Sequence, residues 1–597
     1  MNHAPDLSPS GHVDTFTRDN LPRHDLWPAM VHTLPELRYP RRLNCAEELL
    51  DRTVGRFGPD RPCLIGQDES WSYGELLRRA NQVARVLVED LGVVPGNRVL
   101  LRGPNNPWLV ACWLGVIKAG AVAVSVLPVL RSGELAEIAD RARISHALCD
   151  SRFIDDLVEA RVDGLRMVGY GGKDGDDLTA RCARKPADFA AAVTAADDVC
   201  MIAFTSGTTG KPKGCLHFHR DVLAIADTFS ARVLGPRPDD VFAGSPPLSF
   251  TFGLGGLVVF PLRAGASSVL LERAGPELLL AALDEHRVSV LFTAPTAYRA
   301  MLAELARAGT SQAGTSQAGA SQTGASRTGT GTSQTSASRS GTARADFAPA
   351  GAARADAQPS GAIRASAAGL RRCVSAGEHL GARTWEAWRD ATGIEIIDGI
   401  GSTEMLHIFI SSADADIRPG STGRVVPGYE ARVVDDAGDP VPDGRPGLLA
   451  VRGPTGCRYL ADDRQREYVR GGWNLTGDVY VRDADGYFWY QSRADDLIIS
   501  AGYNIAAIEV EDALLRSPDV AEAAVIGAPD PDRGQIVKAF VVLRDGVPAA
   551  ERTARSLQEF VKAQIAPYKY PRAVRFLDAL PYTPTGKLQR FKLRDHP

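Results

Sequence analysis

Thr205-Ser-Gly-Thr-Thr-Gly-Lys-Pro-Lys-Gly214 follows directly on an apolar run, Cys200-Met-Ile-Ala-Phe204. The run reads as a buried strand, and the ten residues after it hold three glycines, four hydroxyls and two lysines. Glycines let backbone N–H groups turn toward an anion, hydroxyls donate hydrogen bonds, and lysines supply charge. A polyphosphate demands that combination, whereas an ordinary surface turn does not. The loop is not a Walker A motif, because no Gly-Lys-Ser/Thr occurs at the required spacing. A strand that ends in an anion-binding loop points to an α/β protein.

Upstream, helix and strand alternate. Asn44 and Glu47 are spaced as a capping box, and so are Ser72 and Glu75, which precede Leu76, Leu77, Ala80, Val83, Ala84 and Leu87 on one helical face. Asn97–Arg102 reads as a strand, Pro107–Lys118 as a helix and Ala121–Val126 as a strand buried on both sides. Trp108–Leu130 is the best membrane candidate, but Lys118, Gly120 and Pro128 break it into a buried helix and a buried strand. Such β-α-β alternation predicts a largely parallel sheet covered by helices.

Residues 308–367 depart from this pattern. They repeat with a period near five and hold one aromatic, Phe347, and one large aliphatic, Ile363, with five Arg against two Asp. So little apolar surface cannot offset the entropy of ordering, and the stretch reads as a disordered surface insertion. Ordered patterning resumes after 370. Beyond Arg493-Ala-Asp-Asp496, Ala524–Gly527 and Lys538–Leu543 read as strands and Leu557–Gln564 as a helix, enough for a small α+β domain.

Composition excludes several classes. The 597 residues are 44% hydrophobic and 23% charged, with a net charge of −4, which gives no electrostatic reason for a nucleic-acid or membrane partner. Nine cysteines are scattered without a C-x-x-C pair, and the N-terminus lacks an apolar signal segment. A reducing, cytoplasmic compartment is expected. His217-Phe-His219 offers two imidazoles to one face of a strand with no third ligand in view, and Cys215 reads as a small apolar strand residue rather than a nucleophile.

Further motifs follow the phosphate loop in order: Ser375-Ala-Gly-Glu378, Asp398-Gly-Ile-Gly-Ser-Thr-Glu404, Thr476-Gly-Asp478, Arg493-Ala-Asp-Asp496 and Pro584-Thr-Gly-Lys587. This ordered set resembles the adenylate-forming superfamily of acyl-CoA synthetases, firefly luciferase and the adenylation domains of nonribosomal peptide synthetases. The resemblance runs from about 45 to the C-terminus, outside the insertion. It implies an N-terminal extension (1–43), a large AMP-binding domain of parallel-rich sheets (44–492), a hinge (493–496) and a small mobile α+β domain (497–597).

It also implies roles. ATP would be held by Thr205, Ser206, Gly207, Thr208, Thr209, Gly210, Lys211 and Lys213, and its adenine side by Ala376, Gly377 and Glu378. The segment Asp398, Gly399, Ile400, Gly401 and Ser402 would follow, with Thr403 on the α-phosphate and Glu404 as ligand of Mg²⁺, a hard cation suited to carboxylate. Asp478 and Arg493 would hold the ribose. Lys587 would bridge the acid and the α-phosphate, Asp495 would be the pivot, and Gly502 would lie on the CoA side. Ser492 stands where the family usually has Gly.

Ser245-Pro-Pro-Leu-Ser-Phe-Thr-Phe-Gly253 resembles the motif that gates the acid. It places Phe250, Thr251, Phe252 and Gly253, with His407, around the acyl group. The wording Ser249–Gly256, Asp398–Ser411 and Leu34–Pro40 resembles benzoate–CoA and 2-aminobenzoate–CoA ligases. An aromatic slot suits a flat aryl acid. The expected function is therefore an ATP-, Mg²⁺- and CoA-dependent aryl acid–CoA ligase. The rivals are an enzyme that loads a carrier-protein thiol and a nucleotide-binding scaffold without catalysis. Glu404, Asp478, Arg493 and Lys587 together argue against the scaffold.

Overall fold

A six-stranded sheet is built from the alternating first half, in the order Arg166–Tyr170, His146–Asp150, Arg98–Arg102, Val122–Val126, Val199–Thr205, Lys213–Phe218. All pairs are parallel except the last, in which Val199–Thr205 turns back into Lys213–Phe218. The computed structural model describes residues 7–172, 175–205, 212–319, 368–494, 498–500, 503–530, 533–582 and 588–594. Period-two patterning decides the layers. Val99 and Leu101 face one core and Leu100 the other. The first core runs continuously through helices Tyr73–Arg85 and Pro107–Lys118 to Phe242, Val290, Phe292 and Val374 of a second sheet. Every residue of Pro107–Lys118 is buried, as its all-round apolarity requires.

The second sheet has nine strands: Arg424–Val425, Ile408–Ser411, Ile396–Gly401, Arg372–Ala376, Val290–Thr293, Val241–Gly244, Ser267–Val269, Pro62–Ile65, Ser70–Ser72. It is parallel in the middle and antiparallel at both edges. A third, antiparallel sheet joins Glu430–Val434, Pro446–Arg452, Trp473–Arg482 and Phe488–Arg493, with Val469–Arg470 at its side. Two sheets are thus parallel-rich as expected, and the third adds an antiparallel layer beside them. The small C-terminal domain pairs Val520–Asp530 with Gly534–Leu543 as its centre and packs helices Ala507–Leu515 and Glu551–Gln564 on it. The chain thus has a large α/β part and a small α+β second domain, the architecture the resemblance implies. Among the described residues no helix is long and apolar enough to cross a membrane.

Two local expectations separate here. Ser72 and Glu75 form the reciprocal capping box, at 3.2 and 2.9 Å. Asn44 and Glu47 do not: Asn44 accepts from the N–H of Ala46 at 3.1 Å and donates to the carbonyl of Ile117 at 2.8 Å. Asn44 thus still caps through its Oδ1, while its amide N–H ties the helix start to the carbonyl of Ile117, which Gly120 also donates to at 2.9 Å; only the reciprocal bond from Glu47 is missing. Helix Pro295–Gly319 extends into the stretch read as an insertion from 308. Buried Tyr298, Met301 and Leu305 nucleate it, and propagation then costs little. Residues 320–367 lie outside the described residues.

Candidate functional site

The ends of three strands meet over the site. Thr205 closes Val199–Thr205 and stands opposite Lys213, the first residue of Lys213–Phe218. Ser206, Gly207, Thr208, Thr209, Gly210 and Lys211 lie outside the described residues. The Lys213 ammonium donates to the Tyr459 hydroxyl at 2.9 Å, and that hydroxyl donates to Glu404 Oε1 at 2.6 Å. Lys213 Nζ itself lies 3.9 Å from Glu404 Oε1. Burial, and then the charge of Glu404, pushes the Tyr459 phenol up, so it keeps the proton it donates.

Tyr459 was not legible as a site residue, since Cys457-Arg-Tyr-Leu460 carries no motif. Pairing brings it in. Leu216 donates to the Arg458 carbonyl and Leu460 to the Gly214 carbonyl, both at 2.8 Å, so this segment lies along the edge of Lys213–Phe218. The pairing is held by Arg458, fully buried on Asp221 at 2.8 Å and stacked on Phe218 at 4.0 Å. Gln465, also unforeseen, accepts from the Tyr459 N–H at 2.9 Å.

Strand Ile396–Gly401 runs parallel to Arg372–Ala376, so Asp398 and Gly399 sit beside Ser375 and Ala376. Ile400 and Gly401 complete the strand across an irregularity, and a tight turn then leads into antiparallel Ile408–Ser411. Ser402 Oγ accepts from the Met405 N–H at 3.2 Å, and Leu406 adopts φ 68°. A left-handed Leu is costly, by roughly 1–3 kcal/mol, and such strain persists where the surroundings enforce it. Its effect is to turn neighbouring side chains apart. Glu404, 7% exposed, faces Tyr459 and Lys213, whereas His407 faces an aromatic cluster.

That cluster is the expected acyl region. The His407 ring lies 4.6 Å from Phe260, 5.5 Å from Phe229 and 5.7 Å from Phe252. Neither of its nitrogens has a partner, and burial lowers its pKa to about 3, so the ring is neutral. Gly255 permits the approach: a Cβ there would come within 2.3 Å of His407 Cδ2. Thr251 and Gly253 are buried in the short helix Thr251–Leu254, Phe252 packs against the core, and half-buried Phe250 caps the helix.

The two residues expected at the ribose are paired. Asp478 and Arg493 are opposite each other across antiparallel strands and bond at 3.0 Å, and Arg493 also donates to the Thr476 carbonyl at 3.0 Å. Gly377 turns with φ 93° into open space between Ala376 and Glu378. The next residue, His379, stacks on Tyr490 with ring centroids 5.5 Å apart, a flat surface that sequence reasoning missed. Asp398 is not an open charge: its Oδ1 is buried without a partner, and burial pushes its carboxyl well up. Ser492 is buried with its hydroxyl unpartnered.

Asp495, Gly502 and Lys587 lie outside the described residues. Tyr582 and Leu588, on either side of 583–587, pair antiparallel. Burial and then Glu522, whose carboxylate accepts from the Tyr582 hydroxyl at 3.0 Å, raise the Tyr582 phenol.

The two histidines do not share a strand face. His217 lies within Lys213–Phe218 with both nitrogens unpartnered, while His219 starts helix His219–Ile225. The expectation that no further ligand lies near fails at His219, where Cys45 and Cys200 converge. Cys215 packs with Cys457, Tyr459 and Val469, and burial pushes its thiol well up, as expected of an inert strand residue.

Fold and site together define a nucleotide-activating enzyme, and the chain belongs to the AMP-binding enzyme family, whose model matches residues 50–459; the AMP-binding enzyme C-terminal domain matches 509–587. It is 33% identical to the benzoate–CoA ligase of Thauera aromatica, over 94% of this chain and 98% of that protein. Among solved structures it is similar to an anthranilate CoA ligase in complex with anthranoyl-AMP, with TM-score 0.79 and 32% identity over 94% of this chain and 98% of that one. A benzoate CoA ligase from Burkholderia xenovorans follows, with TM-score 0.75 and 31% identity over 93% and 100%.

Proposed function

We propose that this chain is an AMP-forming ligase that joins an aromatic acid of the benzoate or 2-aminobenzoate type to CoA. One observation carries the reading: a single turn separates a charged cluster, Lys213–Tyr459–Glu404, from a buried aromatic cluster around His407. The similar benzoate and anthranilate ligases support the same substrate class.

In the first half-reaction a carboxylate oxygen attacks the α-phosphorus of ATP, pyrophosphate leaves, and an aryl-adenylate remains. The acid lies between Phe250, Thr251, Phe252, Gly253 and His407. Thr205, Lys213 and the residues up to Lys211 receive the phosphates, and Asp478 and Arg493 the ribose. Thr403 hydrogen-bonds the α-phosphate, and Lys587 places its charge between the two anions, where charge develops. A hard cation fits Glu404: Tyr459 holds Oε1, and among the described residues no donor reaches Oε2. Magnesium bound there would neutralise phosphate charge.

In the second half-reaction the CoA sulfur attacks the acyl carbon, its proton passes to solvent and AMP leaves. We assign the change between halves to rotation of residues 497–597 about Asp495, which withdraws Lys587 and presents Gly502. The unpaired, buried state of all nine cysteines supports a cytoplasmic place.

Mass spectrometry of products from ATP, Mg²⁺, CoA and a panel of aryl and fatty acids tests the reading. An aryl-CoA is expected, and aryl-adenylate without thioester would transfer the chain to carrier-thiol loading. Lys587→Ala is expected to slow adenylation by about 10²-fold or more while nearly sparing thioester formation from preformed aryl-adenylate. Equal loss in both halves would refute the rotation.

A further inference from the structure

Three buried side chains from distant parts of the chain converge away from the nucleotide site. Cys45 lies at the entrance to the helical segment Glu47–Asp51, Cys200 in strand Val199–Thr205, and His219 at the start of helix His219–Ile225. All three are 0% exposed. Their ligating atoms lie within 4.8 Å of one another, and Cys45 Sγ is 3.3 Å from His219 Nδ1. His219 Nε2 is buried without a partner. The proposed reaction uses none of these groups.

The spacing matches a metal site. Zinc bonds of about 2.3 Å to sulfur and 2.0 Å to nitrogen, at tetrahedral angles, set ligand atoms roughly 3.5–3.8 Å apart. The observed cluster, with its ligating atoms within 4.8 Å, must contract by up to about 1 Å to reach that spacing, and His219 Nδ1 must exchange the Cys45 N–H for the ion. Two thiolates and an imidazole form a soft donor set, which favours zinc or copper(I) over calcium or magnesium. The bland alternative is that both cysteines serve as small apolar side chains. Cys63 and Cys112 play that part elsewhere in the core, yet neither adjoins an imidazole among the described residues. The Cys45 N–H donates to His219 Nδ1 at 3.1 Å, so the metal-free site holds the ring with its proton on Nε2.

We propose that Cys45, Cys200 and His219 bind one thiophilic d¹⁰ cation, zinc(II) or copper(I), as a structural clasp between the N-terminal segment and the six-stranded sheet. The test uses reduced, tag-free, full-length protein stripped with chelator. It is incubated separately with zinc, cadmium and copper(I), desalted, and assayed for metal per chain by elemental analysis. Cadmium–thiolate absorbance and the melting temperature are read in parallel. The expected result is one retained ion per chain, the ultraviolet thiolate band, and a raised melting temperature. Retention of zinc or of copper(I) names the ion. Cys200→Ser and His219→Gln should each weaken binding by about tenfold or more, while Cys63→Ser and Cys112→Ser leave it unchanged. Should the ligand variants fail to fold, the wild-type titration and melting shift decide by themselves. No retained metal and no shift with any of the three ions would overturn the proposal, as would equal loss in Cys63→Ser.

Discussion

Glu404 and His407 are three residues apart in one turn, yet they occupy opposite chemical worlds. Glu404 is tied through Tyr459 to Lys213, and each polar group on that side answers another. His407 is walled by phenylalanines and both its nitrogens are unanswered. The left-handed Leu406 lies between them. The difference teaches how one short segment serves two tasks. Charge transfer needs groups held in place by hydrogen bonds before substrate arrives. Recognition of a flat ring needs shape and dryness.

The contrast can be broken from the charged side first. Glu404→Gln keeps the shape and removes the charge; adenylation measured by pyrophosphate release is expected to fall by about 10²- to 10³-fold. A fall below tenfold would remove Glu404 from the catalytic set. Tyr459→Phe deletes the shared hydroxyl but no charge. Loss of a hydrogen bond to a charged group, about 1.5 kcal/mol, predicts roughly a tenfold drop in kcat with little change in the KM for the aryl acid. A change confined to that KM would place Tyr459 in the pocket instead.

The aromatic side should respond differently. His407→Leu is expected to leave kcat for benzoate nearly unchanged and to shift selectivity between benzoate and 2-aminobenzoate by about tenfold. The same variant carries a pH signature. His407 stays neutral when folded, down to about pH 3, but takes up a proton near 6.5 when unfolded. Its contribution to stability is therefore complete above about pH 6.5 and is lost as pH falls toward the folded value, by about 1.4 kcal/mol at pH 5.5. Replacing it should lessen the acid-induced drop in melting temperature, and an identical pH dependence in both proteins would show that the folded ring titrates as it does when unfolded. Smallest of all is the expected effect of excising 320–367. Loop length enters only logarithmically, so kcat/KM should barely change, and a loss above about tenfold would make the insertion functional.

Legibility followed the range of the interactions. Ser72 and Glu75 are adjacent on one helical turn, and their capping box formed as the spacing predicts. Asn44 carried the same local signal and caps through its Oδ1, but its amide N–H reaches a carbonyl on another helix, a contact the spacing does not announce. Asp478 and Arg493 were readable through resemblance, and their cross-strand pairing gives that reading a geometric reason. Tyr459 sends no signal at all, because its partners are 55 and 246 residues away along the chain. The Cys45–His219 contact spans 174 residues and was missed for the same reason. The third sheet went unread because its strands carry no βαβ spacing to announce them.

The sequence by itself determined the parallel α/β scaffold and the family, and it set the expectations of a phosphate loop and an aryl acid pocket. These rest on residue types at short, regular spacing, where local sterics and periodicity suffice. Tertiary structure alone decided which hydroxyl joins Lys213 to Glu404, that His407 sits dry among phenylalanines, and that two cysteines meet one histidine. Each is a contact between segments far apart in the chain. Such contacts form only because burying continuous apolar faces brings those segments into register.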